Sequence, residues 1–525
     1  MNDEWWRDAV IYQVYVRSFA DANGDGVGDL AGVRQRLPHL AGLGVDALWF
    51  NPWYASPQAD AGYDVADYRA IDPLFGTLDE AAALITEAHA LGLKVIIDIV
   101  PNHVSDQHAW FAAALAAGPG SPERERFWFR PGRGDLPPNN WQSVFGGPAW
   151  TRVADGEWYL HLFDPGQPDL NWTSPDVVAE HEDVLRFWFD LGADGVRIDS
   201  ATMPAKDPAL ADFDPADPPP AHPYVDRDAV HDIYRGWRAV ADAYSPPRAL
   251  IGEVWLDQPD RLALYLRPDE MHTAFNFDYL NCAWEPKALR HVIDATLAAH
   301  APVGAPATWV LSNHDVTRHV TRYGRVNTSF SHAGRQHGAS VDLALGARRA
   351  RAALLLNLAL PGSVYLYQGE ELGLEEVEDI PDELRQDPIF HRTGGLDVGR
   401  DGCRVPLPWA GEQDTPSWLP RPASWFRRTP DLQDRDPGSM LTLYRTAIRL
   451  RRERLGAGTL AWLPGDPEVL AFTRPGGFTF LANLSAEPVT LPAGELLLAS
   501  GPVEGGLVPP DTAVWLLGRQ QATAA

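Results

Sequence analysis

The first half of the chain alternates between short apolar runs and longer amphipathic or alanine-rich ones. Residues 9–19, apolar, β-branched and aromatic, read as a strand. An acidic loop follows at 21–29, then a helix over 30–43 that ends at Gly44. A short strand over 45–51 is stopped by Pro52. Thr77 and Glu80 form a capping box that opens an alanine-rich helix closing at Gly92. Residues 93–100 are almost continuously apolar, the pattern of a parallel strand buried on both faces. From His103 to about Asn171 the alternation stops, and Pro, Gly, Asn and Trp crowd the segment. A structureless loop of that length does not suit a compact domain, so 104–171 is expected to be an inserted subdomain.

Alternation resumes at Ser174, an N-cap followed by Pro175 at the first helical position. That helix runs to Leu191 and Gly192 and leads to a strand ending at Asp199. Further strand ends fall at Glu253, near Asn276, at Asp315 and near Tyr367. Eight strands counted from Val10 predict an α/β fold, a (β/α)8 TIM barrel assembled from 1–103 and 172–456. A long irregular excursion, 369–438, follows the eighth strand. Ser439 then starts a helix with Leu441, Tyr444, Ile448 and Leu455 on one face. Beyond it, short strands between Pro and Gly turns predict a C-terminal antiparallel β-sandwich over 457–525.

Composition narrows the function. A net charge of −27 excludes nucleic acid and anionic membranes as partners. The 20 tryptophans and 15 tyrosines offer flat faces suited to sugar rings, although each also serves as core. Cys282 and Cys403 make neither a disulfide framework nor a zinc spacing and are expected to be buried thiols. The N-terminus is acidic and aromatic, unlike a secretory signal. No apolar run reaches the roughly 18 residues of a membrane helix. The expectation is a cytoplasmic protein, monomer or homodimer.

Candidate chemistry sits at the strand ends, where barrel active sites lie. Arg197 and Asp199, two apart on a strand, share a face. Arg197 should hold Asp199 ionised, as a carboxylate nucleophile requires; taken alone, an ordinary ion pair is an equally good reading. Asp98 and His103 follow the third strand, Glu253 the fifth, and His314 with Asp315 the seventh.

These segments resemble the α-amylase family, glycoside hydrolase family 13. The runs 98–103, 195–199, 252–255 and 313–315 match its four signature regions in order, and 167–171 resembles the additional region marking the oligo-1,6-glucosidase and α-glucosidase branch. The resemblance implies that Asp199 is the nucleophile, Glu253 the general acid/base and Asp315 the third carboxylate, with His103 and His314 on sugar hydroxyls. Glu253, between Ile251 and Trp255, is expected to be protonated through desolvation and nearby carboxylates. Asp60 and Tyr63 resemble family residues around the non-reducing glucose: Tyr63 beneath the ring, Asp60 on its 4-hydroxyl and paired with Arg400 or Arg404. Phe163 and Gln167 resemble further pocket residues. Ser200 stands where α-1,6-specific members carry valine, which points to α-1,4 bonds.

A second motif lies at 21–29. Oxygen-bearing side chains at alternate positions with glycine at the turn suit a hard cation. Related α-glucosidases place structural calcium here, with Asp21, Asn23, Asp25, Asp29 and the Val27 carbonyl as ligands. Magnesium is the alternative ion, and no catalytic cofactor is expected. The expected activity is a retaining exo-α-glucosidase acting on maltose, short maltooligosaccharides or small α-glucosides. Weighed against it are a glucosyl transferase or isomerase of the trehalose- or isomaltulose-synthase type, and a catalytically inert relative. Asp199, Glu253 and Asp315 argue against the last.

Overall fold

The computed structural model describes residues 4–219, 221–331, 335–456 and 458–518; residues 1–3, where the acidic N-terminal segment begins, residue 457, where the C-terminal domain was expected to start, and the last seven residues of that domain lie outside them. Eight strands form one sheet: β1 (Val10–Val14), β2 (Ala47–Phe50), β3 (Lys94–Ile99), β4 (Gly195–Ile198), β5 (Ala249–Gly252), β6 (Thr273–Ala274), β7 (Thr308–Val310) and β8 (Ser363–Tyr367). Every ladder between them is parallel, in the order β6-β5-β4-β3-β2-β1-β8-β7. That is sequence order around a ring, nearly closed between β6 and β7: a (β/α)8 barrel.

Strand alternation sorts the side chains. Ile11, Ala47, Trp49, Ile96, Ala249, Ile251, Val310 and Tyr365 form one apolar cluster inside the barrel. Their neighbours Val10, Tyr12, Leu48, Phe50, Val95 and Ile97 belong to the larger core beneath the helices. Because i and i+2 share a face, the inward residues Ile96 and Ile251 are followed by Asp98 and Glu253 on the same side. Asp98 is also in register with Arg197, and Arg197 with Ile251.

The helices begin and end on local chemistry. In α1 (Leu30–Leu43) the Asp29 side chain caps the Gly32 amide, and Gly44 turns the chain at φ 93°. The capping box of Thr77 and Glu80 opens α2 (Leu78–Ala90). Pro175 starts α3 (Pro175–Leu191), but Ser174 makes no side-chain cap bond there.

The 104–171 segment is folded. It carries a helix, Ala109–Ala117, and a three-stranded antiparallel sheet of Phe129–Pro131, Glu157–Leu160 and Trp150–Arg152. Trp128, Trp141, Trp150, Leu160 and Leu162 cluster with Met203 and Leu210 from the segment after β4. The insertion therefore rests beside the mouth of the barrel. At the C-terminus, strands Ala461–Trp462, Val469–Arg474, Phe478–Asn483, Thr512–Leu517 and Glu495–Ala499 pair in that order, with a separate ladder of Val489–Thr490 and Leu507–Val508. Trp515 from this sheet donates its indole N–H to the Leu355 carbonyl (3.0 Å). Both cysteines are buried. Among the described residues no helix is long and apolar enough to cross a membrane.

Candidate active site

Arg197 lies at the centre of the strand ends, 2% exposed. Its Nη1 donates to Asp98 Oδ1 (2.9 Å), Asp98 Oδ2 (3.0 Å) and Asp199 Oδ1 (2.8 Å). Its Nη2 pairs with Glu253 Oε2 (2.8 Å). One guanidinium thus serves three buried carboxylates, which changes the expected charge state. Burial, then the Glu253 charge, raise Asp199 well above the ordinary carboxylate range despite Arg197. Burial likewise lifts Asp98 to about 7 against the pull of Arg197. Arg197 does pair with Asp199, as expected from their spacing, but the same guanidinium also serves Asp98 and Glu253.

The residue after Asp199 contributes through its backbone. Ser200 has φ 43°, a left-handed conformation uncommon outside glycine. Its amide donates to Glu253 Oε2 (2.8 Å). The other oxygen, Glu253 Oε1, accepts from the Trp255 indole (3.0 Å). In the sequence Trp255 is an apolar neighbour of Glu253; its indole donation is visible only in the fold.

Asp315 receives Arg404 Nη2 (2.8 Å) and Arg400 Nη1 (3.3 Å), with His314 Nε2 at 3.2 Å. Burial would raise Asp315, but His314, Arg400, Arg404 and Arg197 together hold it below the usual carboxylate range. His314 is locked between Gln13 Nε2 (2.8 Å) and the Tyr63 hydroxyl (2.7 Å), its ring stacked on Tyr63 at 5.5 Å and 7°. Burial pushes His314 well below its normal range and, with Lys206, takes His103 down to about 3.

Gln167 Nε2 bridges His103 Nε2 (3.0 Å) and Asp60 Oδ2 (3.2 Å). Asp60 Oδ1 accepts from Arg400 Nη2 at 2.7 Å. Arg400, not Arg404, is therefore its partner. Phe163 packs on His103 at 4.8 Å between ring centres. All the residues expected around the sugar meet in one place. Sequence reasoning missed Asp387, whose carboxylate takes Arg400 Nε at 2.7 Å. It lies in the irregular excursion, where no period marks it.

The turn carrying Asp60 is strained. Gln58 (φ 64°) and Ala61 (φ 52°) are left-handed. Buried Asp64 pins it by accepting the amides of Ala59 (2.8 Å) and Asp60 (3.0 Å).

In the 21–29 loop the oxygen donors suit calcium, but they face the loop's own amides. Asp21 accepts from Gly24 (2.7 Å) and Gly26 (2.8 Å), Asp25 from Val27 (2.8 Å), and Asp29 from Gly32 (2.6 Å). Among the described residues, no three Asp, Glu, His or Cys side chains are gathered as a metal site. The donor chemistry fits the ion, since each carboxylate oxygen keeps a further lone pair; a closed ligand shell is not formed.

A (β/α)8 barrel whose strand ends bring three carboxylates, two buried histidines and an acid–arginine clamp into one site has the build of a glycoside hydrolase. The family model described as "Alpha amylase, catalytic domain" matches residues 13–457, and that of a domain of unknown function, DUF3459, matches 456–515. The chain belongs to the α-amylase family of glycoside hydrolases. It is 38% identical over 522 residues to a "Probable alpha-glucosidase" of Rhizobium meliloti (strain 1021), covering 93% of this chain and 90% of that one. It is 35% identical over 546 residues to a "Trehalose-6-phosphate hydrolase" of Escherichia coli (strain K12), covering 94% and 93%. The crystal structure of an "alpha-glucosyl transfer enzyme, XgtA" is similar with a TM-score of 0.85 and 36% identity, covering 98% of this chain and 99% of that one.

Proposed function

We propose that this protein is a retaining exo-α-glucosidase that removes single glucose units from the non-reducing ends of short α-glucosides. The observation that carries this reading is the Asp60–Arg400 pair (2.7 Å) beside the carboxylates, with Asp387 holding Arg400 from behind. Read as the closed end of the sugar pocket, this buried pair would bar a longer chain, so that cleavage falls one residue from the end. Asp199 attacks the anomeric carbon, Glu253 protonates the leaving oxygen and later deprotonates water, and Asp315 grips sugar hydroxyls. Asp199 and Glu253 share one guanidinium, at nitrogens Nη1 and Nη2. That favours the close pair of a retaining enzyme, about 5–5.5 Å apart, over the wider pair that admits water between them. A panel of maltose, maltotriose and 4-nitrophenyl α-glucoside with product identification tests it: glucose from every substrate supports the reading, and internal cleavage of maltooligosaccharides overturns it.

The small, half-buried Ser200 side chain favours α-1,4 over α-1,6 bonds. Initial rates on maltose should exceed those on isomaltose; a clear isomaltose preference would contradict this. Transfer of glucose to a second sugar is the competing fate of the same intermediate, favoured by the likeness to a glucosyl transfer enzyme. Disaccharide or trisaccharide products at high maltose concentration would reveal it.

Calcium is assigned to Asp21, Asn23, Asp25, Asp29 and the Val27 carbonyl as a structural ion. Chelation should then lower the melting temperature by several degrees, as loss of a ligand specific to the native state does, and added calcium should restore it. An unchanged melting temperature would remove the site.

A further inference from the structure

The two oxygens of Glu253 are held differently. Oε2 takes both the Arg197 guanidinium (2.8 Å) and the Ser200 amide (2.8 Å). Oε1 takes the Trp255 indole at 3.0 Å. The indole is itself clamped, with its ring stacked on Phe277 at 3.5 Å between centres and 8° between planes. Phe277 is 4% exposed and opens the short helix after β6. Two elements of the barrel thus converge to aim one N–H at one carboxyl oxygen.

We propose that Trp255 is a positioning residue for the general acid/base and that Oε1 is the oxygen that delivers the proton. The inference rests on the assignment of Glu253 above. With Oε2 doubly occupied by donors, a proton placed there would displace the arginine or the amide; Oε1 has room for it. Indole is a donor only, so Trp255 orients Oε1 while leaving its other lone pair for the proton. In the first step the proton leaves Oε1 for the glycosidic oxygen, which takes the electron pair of the breaking C1–O bond, while an Asp199 oxygen bonds to C1. In the second, water adds to C1, the C1–Asp199 bond breaks, and the water proton returns to Oε1.

The charged and titratable groups around Glu253 are Arg197 and Asp199 at the end of β4 and Asp98 on β3, with Asp315 and His314 facing Arg197 from β7. Trp255→Phe changes none of them and keeps the stack on Phe277. It removes a donor that favours the carboxylate form, so the alkaline limb of kcat/KM should move upward by about half to one pH unit. Turnover of methyl α-glucoside, whose leaving group needs a proton, should fall about tenfold, and that of 4-nitrophenyl α-glucoside less than about twofold. An unmoved limb, or equal losses on both substrates, overturns the proposal. Should the variant not fold, the unvaried enzyme carries the test by NMR: one indole N–H among the 20 tryptophans must titrate with the alkaline limb and stop titrating in Glu253→Gln. No such resonance overturns it equally. Failure of the underlying assignment looks different: Glu253→Gln would keep full activity on methyl α-glucoside.

Discussion

Asp199→Asn should reduce kcat/KM on 4-nitrophenyl α-glucoside by about 10⁴-fold or more, some 5.5 kcal/mol of barrier, while the melting temperature stays level or rises. The loss follows from the chemistry: an amide cannot form the glucosyl ester through which both steps pass. The gain follows from charge. Burial and Glu253 raise Asp199 above its unfolded value. A carboxyl raised on folding disfavours the native state as pH climbs past the unfolded pKa of about 4. Asparagine keeps the shape, can still accept from Arg197, and removes one of the three carboxyl groups around a single guanidinium. The stability difference should therefore grow between pH 4 and neutrality and vanish in acid. A variant that is inactive and also strongly destabilised at pH 7 would show that Asp199 helps to hold the fold.

Arg400→Ala should lower kcat/KM by about 10²–10³-fold, mainly through KM, and destabilise the protein by roughly 3–5 kcal/mol. Arg400 answers three carboxylates, Asp60 (2.7 Å), Asp387 (2.7 Å) and Asp315 (3.3 Å). Its removal strands buried charges and, on the proposed reading, opens the end of the sugar pocket. Burial already raises Asp60 while Arg400 opposes it; without the arginine Asp60 should protonate more readily, so the stability deficit should shrink as pH falls. Asp387 acts in the same direction: Arg400 and Arg404 hold it low against its burial, so loss of Arg400 raises it and its share of the deficit also shrinks in acid. Steady-state kinetics and pH-dependent melting check both parts. An unchanged KM would mean that the pair does not grip substrate.

The strand-end constellation was legible because barrel strands buried on both faces spell near-continuous apolar runs. The polar residues that end those runs, Asp98, Asp199, Glu253 and Asp315, stand out against them. The Asp60 clamp was half legible: motif position marked Asp60, but Arg400 lies 340 residues away and only the folded excursion chooses it over Arg404. Asp387 left no local trace, since it acts through Arg400 from a segment without hydrophobic period. The surroundings of Asp199 were half legible for a related reason. Adjacency within one strand showed its partner Arg197, but not that Asp98 and Glu253, from the neighbouring strands, claim the same guanidinium. The left-handed backbone at Ser200 was likewise invisible, because serine carries no signature for it.

Proton NMR of glucose released from 4-nitrophenyl α-glucoside in the first minutes of reaction tests the central claim most directly. A carboxylate pair acting through a glucosyl–Asp199 intermediate inverts twice, so the first sugar seen must be α-glucose, with the β-anomer growing only by mutarotation. Initial β-glucose would contradict the account.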